Sequence, residues 1–169
     1  MNISNKKNKG FSLVEVLVVC ALISVVISAF VSVASKSIQL SERSLKQTEA
    51  NFLIEEGVEA VKSIRDDGWS NISSLSLNTN YQLFYNTSDD KWVLSSTDLG
   101  TEYMSIDSDF TRVVYFESVE RDSSSDDISN SGSTYEDDGT RLVTVTVYFN
   151  SSYGVINKSI NFYISNIFE

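Results

Sequence analysis

The sequence has no histidine and no proline, and its one cysteine, Cys20, lies inside an apolar run. Without histidine, no Ser-His-Asp or Cys-His arrangement can form. Zinc is usually held by cysteine and histidine, so a zinc site is not expected. A lone cysteine leaves the polar part of the chain without a disulfide and does not fix its redox compartment. Basic residues are also scarce: 13 Lys and Arg against 23 Asp and Glu give a net charge of −10. Nucleic-acid binding rests on cationic contacts to phosphate, and attraction to anionic lipid on basic clusters. General nucleic-acid binding is therefore not expected. No catalytic constellation and no cofactor motif stands out, and an enzyme is not expected.

What is present is concentrated at the start. Lys6, Lys7 and Lys9 precede Gly10, and an apolar run from Phe11 to Ala34 follows, with Glu15 its only charged residue. A membrane-spanning helix needs roughly 20 apolar residues, and this run is long enough. Glu15 is the anomaly, because an ionisable group inside a span is costly and by default functional. A secretory signal peptide has an apolar core of only about 7–15 residues, so the run is too long for one. A plain single-pass anchor, with Glu15 among the headgroups, is the simpler alternative.

The stretch Lys9-Gly10-Phe11-Ser12-Leu13-Val14-Glu15-Val16-Leu17 resembles the processing site of type IV pilins and the related pseudopilins. The resemblance is close from residue 6 to about 35 and looser beyond. It implies cleavage after Gly10 by a prepilin peptidase and methylation of the new amino terminus, Phe11. It implies that Glu15 pairs with the amino terminus of a neighbouring subunit and so fixes the axial register. The implied partners are other pilin or pseudopilin subunits, the prepilin peptidase, an inner-membrane assembly platform and membrane lipid, with an assembly ATPase acting indirectly. The implied location is the cytoplasmic (inner) membrane, spanned once with the N-terminus in the cytoplasm, and then an extracellular or periplasmic filament. Charge alone does not fix that orientation, since Lys36, Arg43 and Lys46 follow the span.

Cys20, Ser24, Ser28 and Ser32 recur every fourth position and share one helix face. Small residues at this spacing let membrane helices approach closely. Serines bonding back to their own helix would give the same pattern, and both readings stay open.

No proline or glycine interrupts the chain from Phe11 to Glu56. Ala50, Leu53, Gly57, Ala60, Val61 and Ile64 fall on one helix face, with Glu55, Glu56, Glu59, Lys62 and Arg65 on the other. Asp66-Asp67-Gly68 is a stop signal. The pattern predicts a helix from Phe11 to about Asp66, roughly 84 Å long at ~1.5 Å per residue. Gly57 inside it marks either a close sheet contact or a weak point. With no proline to bend it, a straighter helix or local melting at the serines is expected.

Residues 69–80 read as a loop with at most one helical turn. Tyr81–Tyr85 and Lys91–Ser95 suggest a hairpin. Thr111–Val119 is rich in Val, Tyr and Phe, and Arg141–Phe149 and Val155–Ser165 alternate, as antiparallel strands with one wet face do. Asn150–Gly154 reads as a five-residue hairpin loop. The expected fold is α+β and pilin-like: a long N-terminal helix, half membrane and half docking, packed on a C-terminal antiparallel β-sheet. The segments are a leader 1–10, a transmembrane half 11–35, an amphipathic half 36–68 and a sheet domain 69–169.

An acidic loop is expected over 122–139, exposed and mobile, because it has too few apolar residues to offset ordering entropy. Asp122, Asp137 and Asp138 are its candidate calcium ligands, although the spacing fits no EF-hand. Glu117 and Glu120 read as a solvated strand edge. Two main functional readings follow. One is a structural subunit, a minor pilin or pseudopilin, of a type IV pilus-like filament. The other is an unprocessed, membrane-anchored binding domain using the acidic loop. A secreted enzyme would instead be cut near Ala34 or Ser35.

Overall fold

In a computed structural model, which describes residues 10–96, 106, 109–129, 131–151 and 154–168, the long apolar run and the polar stretch after it form one helix. This helix, α1 (Leu13–Asp66), has 54 residues and is unbroken at the serines. Its contacts divide the chain into two units, Met1–Ser44 and Leu45–Glu169.

In the first unit every described residue, 10 to 44, is exposed. The apolar side chains there are not covered by any described residue. The Ser24, Ser28 and Ser32 hydroxyls each donate to the carbonyl four residues earlier, at 2.8, 2.8 and 2.9 Å. This back-bonding satisfies polar groups that lipid could not.

The second unit places the rest of α1 on a five-stranded antiparallel sheet of order β2-β1-β3-β4-β5. The strands are β1 (Asn80–Asn86), β2 (Lys91–Ser96), β3 (Phe110–Asp122), β4 (Thr134–Ser151) and β5 (Gly154–Ser165). β1–β2 is a hairpin and β3–β4–β5 a meander. Ala50, Ile54, Gly57, Ala60, Val61 and Ile64 are the buried residues of α1. Ile54 belongs to this face beside the expected residues, whereas Leu53 is only partly buried. Ala60, Val61 and Ile64 pack with Tyr81, Val114, Phe116 and Val145. Ala50 and Ile54 pack with Phe110, Val147 and Phe149. Each fully buried large apolar side chain contributes about 1.5–3 kcal/mol.

Gly57 is the point of closest approach. A Cβ there would lie 2.9 Å from Val145 Cγ1 and 3.0 Å from Arg112 Cδ. Of the two readings of this glycine, the close sheet contact holds. Arg112, on β3, lies under the helix and is nearly inaccessible. Its Nη1 donates to the Leu53 carbonyl (2.9 Å) and to the Glu56 carboxylate (2.6 Å). Its guanidinium also lies 5.4 Å from the centre of the Trp92 ring. The helix ends as expected: Gly68 takes φ +149°, and its N–H donates to the Arg65 carbonyl at 2.9 Å. One short helical turn, α2 (Ser70–Ser73), follows and buries Ile72.

Two boundaries differ from expectation. The stretch 122–139 is not one loop, because β3 runs through Asp122 and β4 starts at Thr134. Pairing continues past the turn-like Asp137-Asp138-Gly139: Glu120 faces Glu136 and Asp122 faces Thr134, across a register shift. The acidic Asp-Asp-Gly segment lies at a bulge in a long strand, where an unpaired residue is tolerated. The Arg141 guanidinium satisfies the carbonyls there, with Nη1 donating to Asp137 and Thr140 at 3.0 and 2.9 Å. The second difference is the β4–β5 turn. The ladder extends to Ser151↔Gly154, so the expected loop Asn150–Gly154 is largely paired strand.

Candidate functional site

The start of the described chain is open on all sides. Gly10 has no atom within 4 Å of where a Cβ would be. Among the described residues nothing crowds that position. Phe11 is 81% exposed. The Val16 N–H donates to the Ser12 carbonyl at 3.2 Å, just ahead of the helix. Ser12-Leu13-Val14-Glu15 has the Ser-x-x-Glu spacing of a capping box, a start signal that apolar periodicity alone passes over. Glu15 lies in the first turn of α1, where the helix dipole favours a carboxylate by about 0.3–1 kcal/mol. Lys6, Lys7 and Lys9 lie outside the described residues.

Beyond Glu15 the helix is an apolar rod. No residue of its most apolar stretch is buried, and it is long and apolar enough to cross a membrane. Cys20 is a free, exposed thiol. It lies on the face of Ser24, Ser28 and Ser32, whose hydroxyls are all occupied by the helix backbone. The three serines of that face therefore present small side chains whose hydroxyl protons are already donated to the backbone.

The carboxylates singled out as calcium candidates have other partners. Asp122 accepts from the Ser124 and Ser125 amides and from the Ser124 hydroxyl. These bonds, the hydroxyl first, hold its pKa below the usual carboxylate value. Asp137 accepts from Arg121 Nε and from the Gly139 amide (2.8 Å). Partial burial pushes its carboxyl up, but the Arg121, Thr140 and Gly139 hydrogen bonds outweigh this and leave it lowered. Asp138 is 94% exposed, with Arg141 Nη2 3.9 Å away. Among the described residues, no three His, Cys, Asp or Glu side chains are grouped to hold a metal ion.

The loop between β3 and β4 is exposed from Ser123 to Ile128, yet it is tied to the sheet. Arg121 Nη1 donates to the Asp126 carbonyl (2.8 Å), and the Tyr135 hydroxyl donates to the Asp126 carboxylate (3.0 Å). Arg121 is thus the residue that organises the acidic segment, and sequence patterning did not single it out. Glu117 and Glu120 line a cleft of about 250 Å³ with Leu142 and Tyr163. Glu120 accepts from the Thr134 hydroxyl at 2.7 Å.

The open N-terminal segment is the part that matches known proteins. Residues 5–31 match the family model of the prokaryotic N-terminal methylation motif. The match spans the basic leader, Gly10, Phe11, Glu15 and most of the apolar run. No curated protein and no solved structure gives a significant match. The motif indicates a precursor of the pilin or pseudopilin type, with prepilin cleavage, methylation and a transmembrane helix. It implies interaction with other pilin subunits and with the prepilin peptidase, and it suggests a structural protein. The apolar helix and the motif are consistent with membrane anchoring and a surface-exposed filament.

Proposed function

We propose that this chain is a minor pilin or pseudopilin, a structural subunit of a type IV pilus-like filament without catalytic activity of its own. It is held in the cytoplasmic membrane by the first half of α1, with its N-terminus in the cytoplasm. The prepilin peptidase cuts after Gly10 and methylates Phe11. The processed chain then leaves lipid, with the help of an inner-membrane platform, and enters the filament through its helix. The observation that carries this reading is the methylation motif at the head of a helix whose apolar side chains, up to Ser44, are all exposed among the described residues.

Glu15 is the register pin. The helix dipole, about 0.3–1 kcal/mol, offsets only part of the cost of a charge within the apolar run, which reaches roughly 2.5–3.5 kcal/mol for the costliest residues at the centre of a span. The positive amino terminus of a neighbouring Phe11 supplies the remainder, because each group compensates the other's desolvation. Cys20, Ser24, Ser28 and Ser32 give neighbouring helices a close-approach face.

The test is incorporation into filaments sheared from cells that carry an active prepilin peptidase. Wild-type chain is expected in the filament fraction. Glu15→Ala is expected to insert in the membrane normally and to drop out of filaments. Normal incorporation of Glu15→Ala removes the pairing argument. A chain that stays in the membrane, uncut and never in filaments, supports the anchored binding domain instead.

A further inference from the structure

The sheet has two outer strands, β2 and β5, and their open edges differ. An outer edge presents backbone N–H and C=O groups that a further strand can pair. β5 carries Lys158 in mid-strand, where its amine donates to the Asn51 side chain at 2.9 Å. A lysine on an edge strand is one of the devices that discourage an added strand. β2 carries its only charge on its first residue, Lys91, and Trp92-Val93-Leu94-Ser95-Ser96 holds neither charge nor proline. No described strand pairs with its outer side.

A cleft of about 740 Å³ is lined on one side by residues 91–94 of β2. Successive side chains of a strand point to opposite faces, so a cleft that meets four in a row meets the strand's edge rather than one face. β1 occupies the other edge, which leaves the outer one. Four strand residues span ~13 Å. Ile64, Asp67, Asn71, Ser74 and Leu75, from the end of α1 and the short turn after it, form the opposite wall. Leu75, Trp92 and Leu94 pack half-buried on the core and give the cleft an apolar floor. Its polar end is acidic. Asp67 pairs with Lys91 at 3.0 Å and keeps its side chain 39% exposed, while Asp89 accepts from Asn86 Nδ2 at 2.6 Å. Two carboxylates there face one amine.

We propose that this cleft takes an extended peptide of a partner protein, added as a further strand on β2. One apolar side chain of the peptide rests against Trp92 and Leu94, and a Lys or Arg lies beside Asp67 and Asp89. In this mode main-chain pairing supplies affinity and alternate side chains supply specificity. The strand edge favours a peptide over a saccharide, because an extended backbone repeats donors and acceptors at the strand's own spacing. The site lies wholly in the sheet unit and does not depend on the filament reading.

The test uses the full chain in detergent and the fluorescein-labelled peptide Lys-Val-Thr-Val-Thr-Val-Lys amide, followed by anisotropy. Saturable binding is expected, with the Glu-ended counterpart weaker by about 10-fold or more. Hydrogen exchange over residues 91–96 is expected to slow by about 10-fold or more at saturating peptide. Ser74→Trp fills the cleft from an exposed position and is expected to abolish binding with an unchanged melt by circular dichroism. Asp67→Lys, which leaves the cleft open, is expected to reverse the preference between the Lys-ended and Glu-ended peptides. Absence of saturable binding by the Lys-ended peptide would overturn the proposal. Binding that leaves exchange over residues 91–96 unchanged would overturn strand addition. Binding that survives both substitutions unaltered would overturn the cleft as its place.

Discussion

Gly10 and Gly57 are both glycines that no turn requires, yet their surroundings are opposite. Around Gly10 there is open space. Around Gly57, Val145 and Arg112 leave no room even for a methyl group. The same contrast separates the two units. In the second unit the sheet-facing side of the helix is covered, and the buried Arg112 has a carboxylate, a carbonyl and an aromatic ring around it. From Gly10 to Ser44 the side chains are exposed, large and apolar over most of the run. Residues whose identity the chain's own fold explains are structural. Residues whose identity it does not explain are, on the function proposed above, there for other molecules: a peptidase, lipid or neighbouring subunits.

Substitutions should sort along that line, and the largest effect is expected at Gly10. Gly10→Val should abolish cleavage and filament incorporation while leaving the thermal unfolding of the sheet unit in detergent unchanged. The processed fraction by gel shift and the melt by tryptophan fluorescence read the two halves separately. Gly57→Val is the converse. It should cost about 1–3 kcal/mol by overpacking and lower the melting temperature, with cleavage after Gly10 unaffected.

Arg112 and Glu56 sharpen the comparison within the folded unit. Glu56→Ala leaves a buried guanidinium without its carboxylate and should cost about 2–3 kcal/mol. Arg112→Met leaves Glu56 free to turn to water and should cost less. Chemical denaturation of both variants checks the order, and equal losses would contradict the asymmetry.

The smallest effect concerns acid. Asp137 is lowered on balance, with burial raising it and its hydrogen bonds lowering it more. A carboxyl with a depressed folded-state pKa contributes stability that is full above the unfolded value, near 3.9. That contribution is lost as pH falls through the folded value. Wild type should therefore lose stability more steeply below about pH 4 than Asp137→Asn does, as measured by melts across pH 2–6. Parallel curves would mean that Asp137 does not hold the bulge.

Much of this was legible in the sequence. The helix, its stop at Gly68, the β1–β2 hairpin and the strand alternation follow from period and punctuation, which are local. The missed features depend on contacts far apart in the chain. Asp137-Asp138-Gly139 has the composition of a turn, and only pairing of Thr134–Glu136 with β3 makes it a bulge. Arg112, Arg121 and Arg141 look like ordinary charges on alternating strands. Their roles come from Glu56, Asp126 and the bulge carbonyls, which the fold brings to them. Around the N-terminal motif the converse held. Its described residues, from Gly10 on, are all exposed, so the structure adds mainly the openness of Gly10, and the pattern itself carries the meaning.

The most direct test of the division between the two units is the mass of the amino-terminal fragment of the chain taken from cells with an active prepilin peptidase. The account predicts a fragment beginning at Phe11 and carrying one added methyl group. A fragment that still contains Gly10, or one that begins near Ala34, would contradict it.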